Sequence, residues 1–262
     1  MQIKRVRYRF LFRHIYPALV VVFMLSFSCN TETLALYAKE MNTLPDFSAI
    51  KDVTERKQKF FDFMRPIIQA ENDRVLKQRK RLLELYEKHH KKPIQLPEDL
   101  AWLDKLVTEY KANKSQVEYD DVWEPLLKRV DIVPVSLALI QSAKETGWGT
   151  SRFARLGNNM FGQQCFTKSC GIVPDCRVPG ATHEVATFKS VNESVRSYIY
   201  NINTGRAYSH LRQLRFEQRQ AGKIPDGHTI AGGLFKYSER GMAYVKEVRA
   251  MIRVNKPFMD LS

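Results

Sequence analysis

The segment Glu145-Thr146-Gly147-Trp148-Gly149 combines residue types that could perform acid–base chemistry on a bound ligand. Glu145 ends an apolar stretch with helical spacing, so its carboxyl group is expected where a protein core meets a cleft. Desolvation there raises the pKa of a carboxyl group, which suits a general acid near neutral pH. Trp148 could form an apolar wall or a sugar-stacking face, and the glycines allow a sharp turn. The alternative is a solvent-facing glutamate that ends an ordinary helix.

Further motifs follow this segment in a fixed order along the chain. They are the Asn-Asn-Met-Phe-Gly turn at 158–162, the segment from Phe188 to Tyr198, the Tyr-Ser-Glu motif at 237–239, and Tyr244. With the glutamate segment, these motifs resemble the bacterial glucosaminidase family over roughly residues 130–255. An ordered series of motifs is more specific than any one of them alone.

The resemblance implies a lysozyme-like fold and hydrolysis of the β-1,4 bond after N-acetylglucosamine in peptidoglycan, whose glycan strands are the expected partner. By matching position, Glu145 is the acid that protonates the leaving oxygen. Tyr237 falls on the family's active-site tyrosine, where it would stabilise oxocarbenium-like charge or position the sugar. Core packing is the alternative interpretation of Tyr237. The residues assigned to substrate binding are Trp148, Asn159, Phe161, Gly162 and Tyr244.

The resemblance also implies a second catalytic carboxylate in the β lobe, with Glu184 as the first candidate and Asp175 as another. A second acid far from the first would suit water activation with inversion, and a close one would suit a covalent path. The acetamido group of the substrate could instead act as the nucleophile and relieve Glu184 of a role. The alternative interpretation of Glu184 is the polar face of a hairpin strand.

Two departures from the family pattern leave other functions open. Thr146 replaces the common serine, and the loop at 165–176 with its cysteines is unusual for the group. The enzymatic alternative is a muramidase or lytic transglycosylase, which cuts the other glycan bond and also places a glutamate before serine-glycine-tryptophan. The alternative from another class is a non-catalytic cell-wall-binding scaffold. No protein partner can be named from the sequence.

The N-terminus predicts export to the periplasm or cell envelope. Five basic residues between positions 4 and 13 precede the apolar run 15–27, as in a secretory signal segment. Cleavage near Ser28, lipidation at Cys29 and an uncleaved membrane anchor all remain open. The net charge of +14 favours an acidic polymer as partner, or reflects only solvated helical faces. Nucleic acid would satisfy the charge, but export argues against nucleic acid as the partner.

Three cysteines, Cys165, Cys170 and Cys176, lie close together in the sequence. Outside the cytoplasm such a cluster predicts a disulfide, either Cys165–Cys170 or Cys170–Cys176. Neither a histidine nor a fourth cysteine stands at a zinc-finger spacing, so we expect no metal site. We expect no cofactor either.

Apolar residues at helical spacing predict a mainly α-helical protein. Residues 1–29 are expected to be the signal peptide or membrane anchor, and residues 30–52 a tether. A helical extension is expected at 53–119, and the resemblance implies a lysozyme-like α+β catalytic domain with a small β-hairpin lobe at 120–262. The many apolar positions of the extension predict that it packs against the catalytic domain.

Local signals predict where individual helices begin and end. Pro66 should kink or divide the first long helix. Asp131 before Pro134 is a cap-and-start signal for the helix that carries the candidate acid. Ser190 opens a capping box with Glu193 for a later helix.

Overall fold

The structure, a computed structural model, describes residues 44–89, 94, 96–112, 122–175, 177 and 180–259. The predicted signal segment, the start of the predicted tether, Cys29 and Cys176 therefore lie outside the described residues. Among the residues that are described, no helix combines the length and the apolar character needed to span a membrane.

The described chain is mainly α-helical with a small β lobe, as the sequence predicted. The α-helices are α1 Val53–His89, α2 Pro97–Glu109, α3 Trp123–Arg129, α4 Val135–Thr146, α5 Arg152–Gly157, α6 Val191–Thr204, α7 Ser209–Gln220, α8 Gly227–Ile230, α9 Met242–Val254 and α10 Lys256–Met259. Short 3₁₀ helices lie at Phe47–Ala49, Arg206–Tyr208 and Ala231–Leu234. The predicted N-cap of α6 is confirmed, because the Ser190 side chain accepts a hydrogen bond from the Glu193 amide at 3.3 Å. The Glu193 carboxylate accepts from the Lys189 amide at 3.0 Å, one residue before the cap, and not from the Ser190 amide as a capping box requires.

The β lobe is a three-stranded antiparallel sheet, where the sequence predicted one hairpin. Its strands are β1 Gln164–Cys165, β2 Gly171–Ile172 and β3 Glu184–Ala186, in the order β1-β3-β2. Cys165 pairs with Glu184, and Ile172 pairs with Val185. The central strand comes last in the chain, so alternation within β3 alone could not reveal that it has two neighbours.

Helix α1 continues through Pro66 without the predicted division. Its apolar side chains pack against α4 and α6, which holds the helix together around the one hydrogen bond that proline cannot make. The fully buried side chains on this face are Phe60, Phe61, Met64, Ile67 and Ile68. The predicted packing of the extension against the rest of the chain is therefore observed.

Polar contacts also join α1 to the segment that leads into α4. The Asn72 amide donates to the Val133 carbonyl at 2.8 Å and accepts from the Val133 amide at 3.1 Å. Arg196 of α6 donates to both carboxylate oxygens of Glu71, at 3.0 and 2.8 Å. Because buried amides and charges need such partners, α1 is fixed in register against the helix that carries Glu145.

Asp131 is not the cap of α4, contrary to the sequence prediction. The N-cap position is Pro134, with no side-chain hydrogen bond. The Asp131 carboxylate is instead held by Arg219 at 2.9 and 3.0 Å and lies 3.5 Å from Arg79. Arg215 donates to the Asp131 carbonyl at 3.2 Å. These arginines come from α1 and α7, so the charge cluster ties both helices together beneath α4.

Candidate active site

Glu145 lies in the last turn of α4, where the backbone changes direction sharply. Gly147, Trp148 and Gly149 all have positive φ values of 56°, 63° and 79°. A Cβ on Gly149 would lie 2.4 Å from the Phe47 ring, so this position requires glycine for space as well as conformation. The turn ends the helix and leaves the Glu145 side chain at the edge of the core.

The Glu145 carboxyl group is half-buried, and burial raises its pKa. Gly162 follows the buried Phe161 with φ at 64°, and a Cβ at Gly162 would lie 3.5 Å from Glu145 Oε2. Glycine at this position therefore leaves space directly beside one carboxyl oxygen. Desolvation is the main cause of the raised pKa, and it favours the protonated form of the carboxyl group.

Buried groups form a hydrogen-bond relay that ends on Glu145. The Tyr198 hydroxyl donates to Gln141 Oε1 at 2.6 Å, and Gln141 Nε2 donates to the Tyr244 hydroxyl at 3.2 Å. The Tyr244 hydroxyl donates to Glu145 Oε1 at 3.1 Å. An amide nitrogen cannot accept a hydrogen bond, so Gln141 directs the Tyr244 proton toward Glu145. Burial raises the pKa of Tyr244, which keeps the phenol protonated as a donor.

Tyr237 lies between this relay and the turn at 158–162. Its hydroxyl donates to the Phe161 carbonyl at 3.0 Å, and its ring stacks on Tyr244 with centroids 5.2 Å apart. Phe161 in turn stacks on Tyr198 with centroids 3.8 Å apart. Tyr237 thus joins the two walls around Glu145, and part of its side chain remains accessible.

A groove with a volume of about 810 Å³ opens beside Glu145. Of the described residues that line it, Glu145 is the one carboxylate. The other lining residues include Phe161, Gly162, Gln163, Gln164, Cys165, Phe166, Phe188, Ser197, Tyr198, Tyr200, Asn201, Tyr208, Tyr237 and Ser238. Aromatic side chains next to a few polar groups are typical of ligand sites.

Trp148, a predicted substrate-binding residue, is not among the side chains that line this groove. Its ring packs edge-on against Phe60 and Phe61 of α1, with centroids 5.9 and 5.2 Å apart. Trp148, which has a positive φ, thus directs its side chain toward α1. The contact anchors the turn after Glu145 on the long helix.

Asn159 shapes the turn at 158–162 from the inside. Its amide nitrogen donates to the carbonyls of Gln163 and Ala186 at 2.9 and 2.8 Å. Its amide oxygen accepts from the amides of Phe161 and Gln163 at 3.2 and 3.0 Å. With all its hydrogen-bonding groups used by backbone, Asn159 positions Phe161 and Gly162, and it has no free group for a ligand.

Glu184, the predicted second carboxylate, lies in the β lobe and does not line the groove. Its two oxygens accept hydrogen bonds from the amides of Ser169 and Gly171 at 3.0 and 2.8 Å. These hydrogen bonds hold its pKa below the usual range, so Glu184 is an ionised brace of the neighbouring loop. Asp175, the other candidate, is exposed and pairs with Arg152 at 3.0 Å.

Cys165 and Cys170 form a disulfide, one of the two pairings predicted. Their sulfur atoms and the Glu184 carboxylate lie within 4.8 Å of one another, a geometry that could hold a metal ion. Thiols already joined in a disulfide cannot bind metal as thiolates, so the oxidised loop carries no metal site here.

Several contributors to the site were missed in the sequence. Gln141 was not predicted to contribute, and Tyr198 was named only as the end of the segment that resembles the family. A glutamine one turn before the candidate acid on the same helix is a weak signal for a polar network. Phe166 and Tyr200 carried no pattern that distinguishes a groove wall from an ordinary surface residue.

Comparison with known proteins gives consistent matches. Residues 120–256 match the Glucosaminidase family model, described as mannosyl-glycoprotein endo-beta-N-acetylglucosaminidase. The chain is also 32% identical over 215 residues to Protein bax of Escherichia coli (strain K12). The aligned region covers 82% of this chain and 75% of that protein. No solved structure gives a significant match. The matched family is the one that the ordered motifs indicated.

Proposed function

The chain belongs to the glucosaminidase family, and from that premise we propose that it hydrolyses peptidoglycan at the β-1,4 bond after N-acetylglucosamine, with Glu145 as general acid. Membership of the family supports glycoside hydrolysis of a peptidoglycan-like polymer. The observation that carries the finer proposal is the half-buried Glu145 carboxyl group, with its raised pKa, on the wall of an aromatic groove.

The relay supports a defined position for the acid proton. Tyr244 donates to Glu145 Oε1, so the proton of the neutral acid is carried by Oε2, beside Gly162. From there it would pass to the glycosidic oxygen as the bond to the sugar carbon breaks. Tyr237, also in the groove wall, would contact the sugar where oxocarbenium-like charge develops.

The proposed mechanism uses no second protein carboxylate. Among the described residues, Glu145 is the one carboxylate of the groove, and Glu184 is committed to backbone amides. The acetamido group of the substrate is therefore the favoured nucleophile. Its oxygen would attack the anomeric carbon as the leaving oxygen takes the Glu145 proton, which gives an oxazolinium ring and a Glu145 carboxylate. Water would then attack the same carbon and open the ring while it gives a proton to Glu145, which restores the acid.

We also propose that the reaction takes place outside the cytoplasm, in the periplasm or cell envelope. The support is the basic leader followed by an apolar run at 15–27. A disulfide in the loop beside the groove is in keeping with an oxidising compartment.

The proposal is tested by mass spectrometry of the products formed from isolated peptidoglycan by the full chain. We expect fragments with reducing N-acetylglucosamine ends, and none from a Glu145→Gln variant treated in parallel. Reducing or anhydro N-acetylmuramic acid ends would instead identify a muramidase or lytic transglycosylase. An absence of products from chain that binds peptidoglycan would favour the scaffold.

Replacing Tyr244 by phenylalanine is expected to move the alkaline limb of the pH–rate profile to higher pH. The Tyr244 hydroxyl stabilises ionised Glu145, so its removal raises the pKa of Glu145 above the already raised wild-type value. A general acid must be protonated, and activity is lost as pH rises through its pKa. The measurement is kcat/KM against pH for both proteins.

Tyr110→Phe is the matched control for this experiment. Tyr110 is also buried, and its hydroxyl donates to Gln78 at 2.6 Å, away from the groove. Its removal should leave the alkaline limb in place. A limb that stays fixed or moves to lower pH in Tyr244→Phe would contradict the role given to Tyr244.

A further inference from the structure

Two exposed aromatic side chains stand out on the described surface. Among the large apolar side chains that are exposed there, the aromatic ones are Phe166, 74% exposed, and Tyr200, 36% exposed. Both line the groove beside Glu145. Exposed aromatic area is unfavourable in water unless a ligand covers it, so their shared location indicates a binding surface.

Phe166 is presented by a braced loop. The disulfide joins the residues on either side of the loop, Cys165 and Cys170. Opposite Cys165 in the sheet, Glu184 accepts hydrogen bonds from the amides of Ser169 and Gly171. The backbone that carries Phe166 is thereby held at the groove edge before any ligand arrives, which lowers the entropy cost of binding.

Tyr200 is presented by a helix. It lies on α6, which also contributes Ser197, Tyr198 and Asn201 to the groove. The Lys111 ammonium group lies over the Tyr200 ring, 5.5 Å from its centroid. This cation lies against one face of the ring, and a ligand in the groove would use the remaining exposed part of the side chain.

We propose that Phe166 and Tyr200 form a carbohydrate-stacking subsite that holds sugar rings of the glycan strand beside the Glu145 centre. This inference rests on the proposed function. The C–H face of a pyranose ring is apolar and packs against an aromatic face, while its hydroxyl and acetamido groups reach polar groups such as Ser197 and Asn201. The role of Glu184 is then to position Phe166, without a part in the chemistry.

The test measures binding in the Glu145→Gln background, where no turnover is needed. The probe is a soluble β-1,4-linked oligomer of N-acetylglucosamine, and its affinity for the full chain is measured by calorimetry. Phe166→Ala and Tyr200→Ala should each weaken the affinity by about tenfold. Phe166→Trp should retain the parent's affinity, because a larger ring keeps the stacking face. Ile224→Ala, which removes another highly exposed apolar side chain from outside the groove, should bind as its parent does.

The outcomes separate this inference from the proposed function. Wild-type affinity in both alanine variants, or an equal loss in Ile224→Ala, would overturn the subsite. Aromatic-dependent binding by a chain that hydrolyses nothing would keep the subsite and reject the proposed function. Hydrolysis that does not depend on either ring would keep the proposed function and reject the subsite.

Reduction of the disulfide tests the brace. Dithiothreitol should weaken oligomer binding to the parent chain, because the loop loses its fixed position. It should cause no further loss in Phe166→Ala, which has no ring to position. An equal effect of reduction on both proteins would contradict the assignment of the loop to Phe166.

Discussion

Glu145→Gln is expected to lower turnover of peptidoglycan by about a thousandfold or more, about 4 kcal/mol of activation barrier. Glutamine has the shape of the acid but no transferable carboxyl proton, so the leaving oxygen would depart without protonation. The measurement is the initial rate of release of soluble fragments from isolated peptidoglycan, with substrate binding determined separately.

The fold should survive this substitution. The Tyr244 hydroxyl donates to Glu145 Oε1, and an amide oxygen at the same position can accept that hydrogen bond equally well. Glutamine also removes a partly buried carboxyl group whose charge is disfavoured by burial. The circular dichroism spectrum should therefore match that of the wild type, and the thermal unfolding temperature should be no lower.

Glu87→Gln provides the matched control, because it removes one exposed carboxylate from α1 and should leave the rate unchanged.

Glu184→Gln is the informative comparison. Its effect should be on substrate affinity through the braced loop, with kcat retained. A Glu145→Gln variant that keeps more than about a tenth of wild-type turnover would remove Glu145 from the mechanism.

Asp131→Asn is expected to lower the free energy of unfolding by about 3–5 kcal/mol at pH 7. Asp131 is 1% exposed and is the shared counter-charge of Arg79 and Arg219, with Arg215 bound to its carbonyl. Asparagine would leave the buried Arg79 and Arg215 and the half-buried Arg219 beside one another without a negative charge. Urea-induced unfolding followed by circular dichroism measures the difference.

The effect of Asp131→Asn should depend on pH in a defined direction. Burial alone would raise the pKa of Asp131, but the hydrogen bonds from Arg219 and the charges of Arg215 and Arg79 outweigh it, and the pKa is lowered. A group of this kind stabilises the fold above its unfolded pKa, about 3.9, and the contribution is lost as pH falls through the folded value. The difference between wild type and variant should therefore shrink below about pH 4.

Asp175→Asn is the control for the buried pair. Asp175 also pairs with an arginine, but its side chain is largely exposed, so solvent screens the interaction and little stability should be lost. Equal stability losses in the two variants, or a difference for Asp131→Asn that is constant across pH, would contradict the account of the buried cluster.

The local elements of the protein follow from its sequence because their determinants are near neighbours in the chain. The helix that ends at Thr146 depends on apolar spacing of three to four residues and on Gly147, which adopts the left-handed conformation that favours glycine. The N-cap at Ser190 depends on an amide only three residues further along the chain. The family resemblance could also be recognised from the sequence, because short motifs and their order are identified without knowing which residues they contact.

The partners of the same residues were decided by tertiary structure. Gln141 meets Tyr198 and Tyr244 across sequence separations of 57 and 103 residues, so no local pattern could predict the relay. The chemistry of Glu184 suited a catalytic acid, but two backbone amides of the disulfide-bonded loop donate hydrogen bonds to its oxygens.

What the sequence by itself determined is therefore the class of fold, the family and Glu145 as the candidate acid at a helix end. What only the tertiary structure decided is which side chains reach Glu145, that Trp148 packs on α1, and that Asp131 anchors arginines. The physical reason is that residue type and short spacing fix local conformation and intrinsic chemistry. Burial and hydrogen-bond partners, which set pKa and role, arise from contacts between residues far apart in the chain.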